Sequence, residues 1–202
     1  MLLQIHPENP PPRLIKQIAE SLQKGGIIIY PTDTVYGLGC DILQQKAVER
    51  ICRIKQVDPK KAQLSFVCSD LSHLSDFAKP LSNPTYRLLK EYLPGPYTFI
   101  LPASKMVPKI LQSKKDTIGL RIPANNIAMA IIKELGRPIL SASLPGEMVE
   151  DYTDPEVMYE NFMHEVDYVI NGGIGGMTPS TVVDCTGDAP VLIREGLGEW
   201  GE

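Results

Sequence analysis

Hydroxyl groups and cationic side chains lie at the ends of several predicted strands of this chain. They are Thr34, Thr117 with Arg121, Ser141 with Ser143, Ser180 with Thr181, and Arg194. If these strand ends converge, they form a site of hydroxyls and two arginines, to which Lys55 adds a third cation. Guanidinium groups bind carboxylates and phosphates in a bidentate way, so the set suits an anionic ligand. It does not suit general acid–base hydrolysis, which needs a carboxylate pair or a tuned histidine.

The stretch 27–41 contains the densest group of such residues. Its first four residues, Ile-Ile-Ile-Tyr, are β-branched or aromatic and predict a short buried strand. Pro31 ends that strand because it has no backbone N–H to donate. The turn that follows holds threonines on both sides of Asp33, and glycines at Gly37 and Gly39. α/β proteins place ligands where strands end. The residues alone equally support a tight connection that Asp33 braces.

Several other functional classes lack their motifs. The sequence contains no G-x-S-x-G elbow of an α/β-hydrolase and no G-x-x-x-x-G-K-[ST] phosphate loop. The three histidines, which we expect to be caps or surface residues, are His6, His73 and His164. The four cysteines are widely spaced and include no C-x-x-C pair. We therefore expect no metal site, no disulfide framework and a reducing cytoplasmic location.

The elements that must position these residues alternate along the chain. Helices are predicted over 14–22, 47–55, 70–77, 83–93, 127–135 and 155–164. Strands are predicted over 27–30, 64–68, 97–101, 117–122, 138–141 and 168–170, and 180–185 with 190–194 form a predicted hairpin. This order predicts an α/β fold with a mixed sheet, in which residues 1–202 form a single domain.

Charge is distributed unevenly along the chain, although the net charge is only −4. Residues 46–137 carry 16 basic and 7 acidic side chains, whereas residues 138–202 carry 1 basic and 13 acidic. The basic segment could bind a nucleotide or an RNA backbone. The charge pattern slightly favours the simpler explanation that basic and acidic segments lie side by side in the fold. No apolar run approaches the roughly 18–20 residues that span a bilayer, so we expect no membrane association.

Four short blocks of the sequence occur in a fixed order. They are PTDTVYGLG at 31–39, PGPYTFIL at 94–101, LRIP at 120–123 and PSTVVD at 179–184. These blocks resemble the YrdC-like family of threonylcarbamoyl-AMP synthases, and in particular its YciO-like branch. The first block is the most specific, and the resemblance covers nearly the whole chain. It implies a twisted α/β sheet around a concave positive cleft.

The resemblance also implies an activity and its site. Members of the family make threonylcarbamoyl-AMP from L-threonine, bicarbonate and ATP, with Mg²⁺, and hold no tightly bound prosthetic group. The product feeds a tRNA modification completed by downstream proteins, and some members bind double-stranded RNA. By position, the residues that match the threonine side are Thr34, Arg121, Ser141 and Ser180. Those that match the nucleotide side are Lys55, which is also the expected catalytic residue, Thr117, Ser143 and Arg194.

Departures from the family pattern fall on the nucleotide side. Val57 replaces the arginine of the K-x-R motif that begins at Lys55, and Ser143 replaces the asparagine of S-A-N. Lys61 and Phe66 also stand where the family usually has asparagine and histidine. Losing a phosphate-binding arginine removes a charge-assisted contact that contributes about 1.5–3 kcal/mol to binding.

Two functions therefore remain open, beside a third in which the small-molecule site is kept but acts on another carbamoyl or adenylate substrate. One is a synthase of the nucleotidyltransferase type, whose activity the departures could reduce. The other is a weak or inactive paralogue that binds double-stranded RNA or tRNA through lysines of the basic segment. Those lysines are Lys60, Lys61, Lys114 and Lys115.

Overall fold

The computed structural model describes residues 1–58, 64–108, 111, 116–146 and 148–201. Within these ranges the chain forms ten strands and seven helices. The strands are β1 (Leu2–Gln4), β2 (Ile27–Tyr30), β3 (Gly37–Asp41), β4 (Ser65–Val67), β5 (Tyr97–Pro102), β6 (Thr117–Arg121), β7 (Ile139–Ser143), β8 (Tyr168–Asn171), β9 (Thr181–Asp184) and β10 (Val191–Arg194). The helices are α1 (Pro12–Gln23), α2 (Gln45–Ile54), α3 (Leu71–Phe77), α4 (Asn83–Tyr92), α5 (Asn126–Leu135), α6 (Glu150–Thr153) and α7 (Pro155–Phe162).

The helices begin and end where local residues favour it. The Asp70 side chain accepts a hydrogen bond from the His73 backbone N–H at 2.8 Å and caps α3. Ser82 caps α4 in the same way, and Gly136 ends α5 with a φ of 73°. These predicted boundaries are confirmed. Among the described residues, no helix has both the length and the apolar composition needed to cross a membrane.

The strands form one mixed sheet, which confirms the predicted fold class. Their order is β1-β8-β2-β3-β7-β4-β6-β5-β9-β10. β2 and β3 are antiparallel and enclose the turn 31–36, and β9 and β10 form the predicted hairpin. β8 pairs in parallel with both β1 and β2. The turn 31–36 therefore emerges from the middle of the sheet rather than from its edge.

The sequence did not predict β1 or β3. β3 contains Gly37 and Gly39. Glycine weakens a strand because it loses more conformational entropy on folding than other residues and has no side chain to pack. In the fold the ring of Tyr30 lies over both glycines: a Cβ atom at either position would approach Tyr30 Cε1 to 2.9 Å. β1 pairs with a strand near the other end of the chain, which no local pattern indicates.

One face of the sheet carries the larger part of the hydrophobic core. Successive side chains of a strand point to opposite faces, so alternate residues of each strand reach this core. Its central members are fully buried: Leu38, Phe66, Phe99, Leu120, Leu140 and Val183. α2, α3, α4 and α7 contribute buried side chains to the same cluster.

The opposite face is covered only over part of its width. α1 and α5 pack there with Ile28, Tyr30 and Ile139 in a second buried cluster. Beyond Ile139 the sheet presents a row of paired, half-buried residues: Ser141, Ser65, Gly119, Ile100 and Asp184. We call this row and its neighbours on the same face, Thr117, Arg121, Thr98, Val182 and Ser180, the open face. It is mostly polar, which distinguishes it from the core face.

Candidate functional site

Arg121, the last residue of β6, lies at the centre of the candidate site. Its side chain is 10% exposed, as is the side chain of Asp33, with which its Nη2 forms an ion pair. The same Nη2 donates to Thr34 Oγ1 at 2.8 Å. Asp33 also accepts the backbone N–H of Ala124 through Oδ2 at 3.0 Å. We call these three side chains, Asp33, Thr34 and Arg121, the arginine corner.

One donor of the arginine corner has no partner among the described residues. Arg121 Nε is buried and makes no hydrogen bond to the part of the chain that the structure describes. Leaving a buried charged donor unpaired is unfavourable, and such groups in proteins nearly always have a partner. The arginine corner can therefore donate to an anionic ligand through Nε while Nη2 remains fixed by Asp33 and Thr34.

The turn that carries Thr34 is held by its own side chains. Thr32 Oγ1 donates to the Val35 carbonyl at 2.7 Å and accepts the Thr34 N–H at 3.1 Å. The Thr34 carbonyl accepts the Gly176 N–H at 3.0 Å. Thr34 is only 1% exposed, so its hydroxyl is held in place beside Arg121.

Tyr36 connects this turn to the glycine-rich segment 172–176. Its hydroxyl donates to the Gly173 carbonyl at 2.7 Å and accepts the Gly172 N–H at 3.1 Å. Burial raises the pKa of Tyr36 to about 12, so the phenol is protonated at neutral pH. A Cβ atom at Gly175 would lie 2.6 Å from the Tyr36 ring, which explains the glycine there.

Arg194 and Ser180 form a second group beside the arginine corner. The Arg194 guanidinium donates to the Ser180 carbonyl, from Nη2 at 2.8 Å and from Nε at 3.2 Å. Ser180 Oγ also lies 2.9 Å from Thr98 Oγ1. Burial and the charge of Arg121 lower the pKa of Arg194. The two guanidinium groups therefore belong to one electrostatic environment.

Ser141 lies where the covered part of the sheet face meets the open face. Tyr30 donates its hydroxyl to Ser141 Oγ at 2.8 Å. Tyr30 is fully buried, and burial raises its pKa to about 12. Ser141 itself is half-buried and can still donate to a ligand.

Lys55 and Ser143 form a separate contact, the lysine contact. Lys55 follows α2, and its Nζ donates to the Ser143 carbonyl at 2.5 Å and to Ser143 Oγ at 3.2 Å. Burial lowers the pKa of Lys55. Val57, which the resemblance implies stands in place of the K-x-R arginine, is 36% exposed. Lys55 is half-buried and Ser143 is exposed, so the lysine contact is more exposed than the arginine corner, and it holds fewer of the described hydrogen bonds.

The expected convergence of strand ends is not what positions the site. Thr117 begins β6 and Arg121 ends it, so the length of the strand separates them. They face the same side because they are four positions apart in the strand, and alternate positions share a face. The strand residues of the predicted set, Thr117, Arg121, Ser141 and Ser143, share a face of the sheet. Thr34 reaches Arg121 from a turn, and Lys55 reaches Ser143 from the end of α2. The set is therefore divided among the arginine corner with Arg194, the lysine contact, and Thr117, which is apart from both.

The four lysines predicted to bind RNA, Lys60, Lys61, Lys114 and Lys115, lie outside the described residues. Within the described ranges, no three His, Cys, Asp or Glu residues gather as a metal ion would require. The described part of the chain therefore offers no carboxylate cage for Mg²⁺, an ion that often binds through substrate phosphates and water instead.

The comparison with protein families identifies the fold's relatives. The profile of the Sua5/YciO/YrdC family, described as "Telomere recombination", matches residues 20–196. The chain belongs to this family. It is 49% identical over 197 residues to an uncharacterised protein of Haemophilus influenzae, covering 96% of this chain and 94% of that protein. Membership confirms the resemblance predicted from the four sequence blocks.

Two family members also have solved structures that superimpose well. The crystal structure of Escherichia coli YciO matches with a TM-score of 0.91 and 46% identity, covering 98% of this chain and 97% of that one. Pyrococcus abyssi Sua5, complexed with L-threonine, matches with a TM-score of 0.86 and 30% identity, covering 97% of this chain. The chain spans 57% of that Sua5 chain, and 54% of a P. abyssi threonylcarbamoyl-AMP synthase to which it is 34% identical.

Sequence reasoning missed four side chains of the site, or left their role open. Asp33 had equal standing as a brace or a ligand contact, and the structure makes it the partner of Arg121. Tyr30, Tyr36 and Thr98 were treated only as strand or turn residues, although each hydrogen-bonds a site element. The even spacing of Thr98 and Ile100 on β5 could have placed Thr98 on the polar face.

Proposed function

We propose that this chain is a threonylcarbamoyl-AMP synthase-type protein that binds L-threonine at the arginine corner. The observation that carries the proposal is the buried Arg121, with an unpartnered Nε beside the fixed hydroxyl of Thr34. That arrangement suits a small ligand with a carboxylate and a hydroxyl group. A family relative whose structure superimposes well was solved as a complex with L-threonine, which supports the same ligand here.

In the proposed reaction, the amine of L-threonine and bicarbonate form a carbamate with loss of water. A carbamate oxygen then attacks the α-phosphorus of ATP, and pyrophosphate leaves. Arg121 would hold the threonine carboxylate, while Thr34, Ser141 and Ser180 orient the amino acid by hydrogen bonds. Binding both reactants on one sheet face reduces the entropy lost in bringing them together.

The nucleotide would lie towards Lys55 and Thr117, with Mg²⁺ arriving as its complex with ATP. Lys55 would offset charge that develops on the α-phosphate and the leaving pyrophosphate, and Arg194 would do so from the other side. Ser143 would hold the Lys55 side chain in position through its hydrogen bonds rather than contact the nucleotide itself. A single lysine without the K-x-R arginine lacks a bidentate fork, so we expect lower turnover than in relatives that keep it.

The test is pyrophosphate release by the purified protein with L-threonine, bicarbonate and Mg²⁺–ATP. We expect release that requires all three substrates and falls at least about tenfold in Arg121→Lys, which keeps the charge but loses the planar fork. Lys133→Arg, an exposed change on α5, serves as the matched control. Absence of threonine-dependent release at high protein concentration would refute the synthase activity.

A second candidate function is RNA binding with weak or absent catalysis. The net charge of +9 over residues 46–137 and the substitution at Val57 favour it. Affinity for tRNA or double-stranded RNA should then fall steeply with salt, and neutralising Lys60, Lys61, Lys114 and Lys115 should weaken it. Binding that is absent, or insensitive to salt, would exclude this candidate. A tRNA partner and downstream tRNA-modifying proteins belong to either candidate, as does action in the cytoplasm.

A further inference from the structure

Asp33 gives the arginine corner an unusual charge balance. Both members of the Asp33–Arg121 pair are nine-tenths buried, and no other acidic side chain hydrogen-bonds Arg121 in the described part of the chain. The carboxylate is also fixed by the Ala124 N–H, so it cannot move away freely when a ligand enters. The buried cation of the corner is therefore already neutralised before any ligand binds.

A plain anion gains little from such a neutralised pair. Bringing a carboxylate from water into a buried place has a large desolvation cost, which only an uncompensated opposite charge offsets. Arg121 offers its Nε as a donor, but its positive charge is shared with Asp33. A second cation, Arg194, interacts electrostatically with Arg121, but its residue is exposed overall and its guanidinium already donates to the Ser180 carbonyl, so water screens part of its charge.

A zwitterion meets a different balance. Its carboxylate can accept from Arg121 Nε, while its ammonium group brings the positive charge that the Asp33 carboxylate can stabilise. Each carboxylate oxygen of Asp33 accepts one described hydrogen bond and retains capacity for another. The ligand then enters with no net charge added to the buried pair.

From this balance we propose that Asp33 sets the ligand class of the arginine corner, so that it selects α-amino acids over acids of the same shape without an amino group. The inference rests on the proposed function, since it concerns the same threonine site. It adds a specificity role for Asp33, a residue that the sequence alone equally supports as a brace of its turn.

Isothermal titration with two ligands tests this role. L-Threonine and (R)-3-hydroxybutyrate share their carboxylate, hydroxyl and methyl groups and differ in the amine. We expect the wild-type protein to bind L-threonine at least about tenfold more tightly. In Asp33→Asn the ratio of the two affinities should fall to about threefold or less. The reason is that the positive charge of Arg121 is then uncompensated and attracts the carboxylate of either ligand. Asp33→Glu, which keeps the charge, should retain more of the preference than Asp33→Asn.

The outcomes separate this inference from the proposed function. Asp76→Asn, a change at an exposed aspartate of α3, should leave both affinities unchanged. If the wild type binds both ligands equally well, the specificity role is wrong, even when Asp33→Asn does not fold. If the wild type prefers L-threonine and folded Asp33→Asn keeps that preference, Asp33 is only a brace and the threonine site stands. If the wild type binds neither ligand, the threonine site and the role of Asp33 are both refuted.

Discussion

The arginine corner and the lysine contact use the same kind of group, a cation beside a hydroxyl, in opposite ways. Arg121 is nine-tenths buried and is held by Asp33 and Thr34, from a turn far away in the sequence. Lys55 is only partly buried and, among the described residues, is held by one residue, Ser143. A cation held by several buried partners contributes to both stability and binding. A cation at a more exposed contact can change with little effect on the fold.

The largest difference in stability should appear between two variants, one that removes Arg121 and one that removes Arg194. Arg121→Ala leaves the Asp33 carboxylate buried without its partner, and we expect a loss of about 3–5 kcal/mol in the free energy of unfolding. Arg194→Ala removes hydrogen bonds at an exposed strand, with an expected loss of about 1 kcal/mol. Urea denaturation of both variants measures the difference. Equal losses would show that Arg121 is not part of a buried pair in solution.

Alkaline pH should affect Tyr30 and Lys55 with opposite signs. The pKa of Tyr30 is raised from 10.0 to about 12 by burial, so the unfolded state loses this proton first. The stability that the Tyr30 side chain contributes is fully present below pH 10. It declines as the pH rises towards 12, by about 2.7 kcal/mol at most. The pKa of Lys55 is lowered, so its contribution increases as the pH rises towards the unfolded value.

Unfolding free energies at pH 8 and pH 11 separate the two residues. Tyr30→Phe loses its hydrogen bond to Ser141 at both pH values, but its unfolding free energy should decline less than that of the wild type between them. The unfolding free energy of Lys55→Met should decline more, because this variant lacks the contribution of Lys55 that increases with pH. Identical declines in the wild type and Tyr30→Phe would mean that Tyr30 does not remain protonated in the fold.

The smallest effect is expected at Ser143. Ser143→Ala removes the 3.2 Å hydrogen bond from Lys55 but keeps the carbonyl acceptor, so stability should change by about 0–1 kcal/mol. L-Threonine affinity should not change, whereas ATP affinity should fall slightly if Ser143 presents Lys55. Titration with each ligand separately makes the measurement. A large loss of threonine affinity would show that the two groups are not independent.

Sequence reasoning succeeded where the signal is local or carried by a motif. The caps at Asp70 and Ser82 are local hydrogen bonds, and the family blocks that contain Thr34 and Arg121 predict them as residues of one site, where they are in contact. It failed for β3, because Gly37 and Gly39 are explained by side chains of the neighbouring strands, the Tyr30 ring with Ser141 and Ile139, that leave no room for a Cβ atom.

The sequence predicts a site at converging strand ends, because strand ends are visible in a sequence and a shared face of the sheet is not. The pairing of Asp33 with Arg121 joins residues from two separate strand ends, and no spacing rule predicts it. The same holds for the contact between Lys55 and Ser143, which depends on where α2 ends relative to β7.

Along β7, the cover provided by α1 and α5 ends between two positions of the same face. Ile139 packs beneath these helices, whereas Ser141, two positions later on the same face, is half-buried at the site. Leu140, between them, faces the other core. The width of the open face therefore depends on this boundary. A larger side chain in place of Ser141 would reduce that width, while the core on the opposite face keeps the sheet intact.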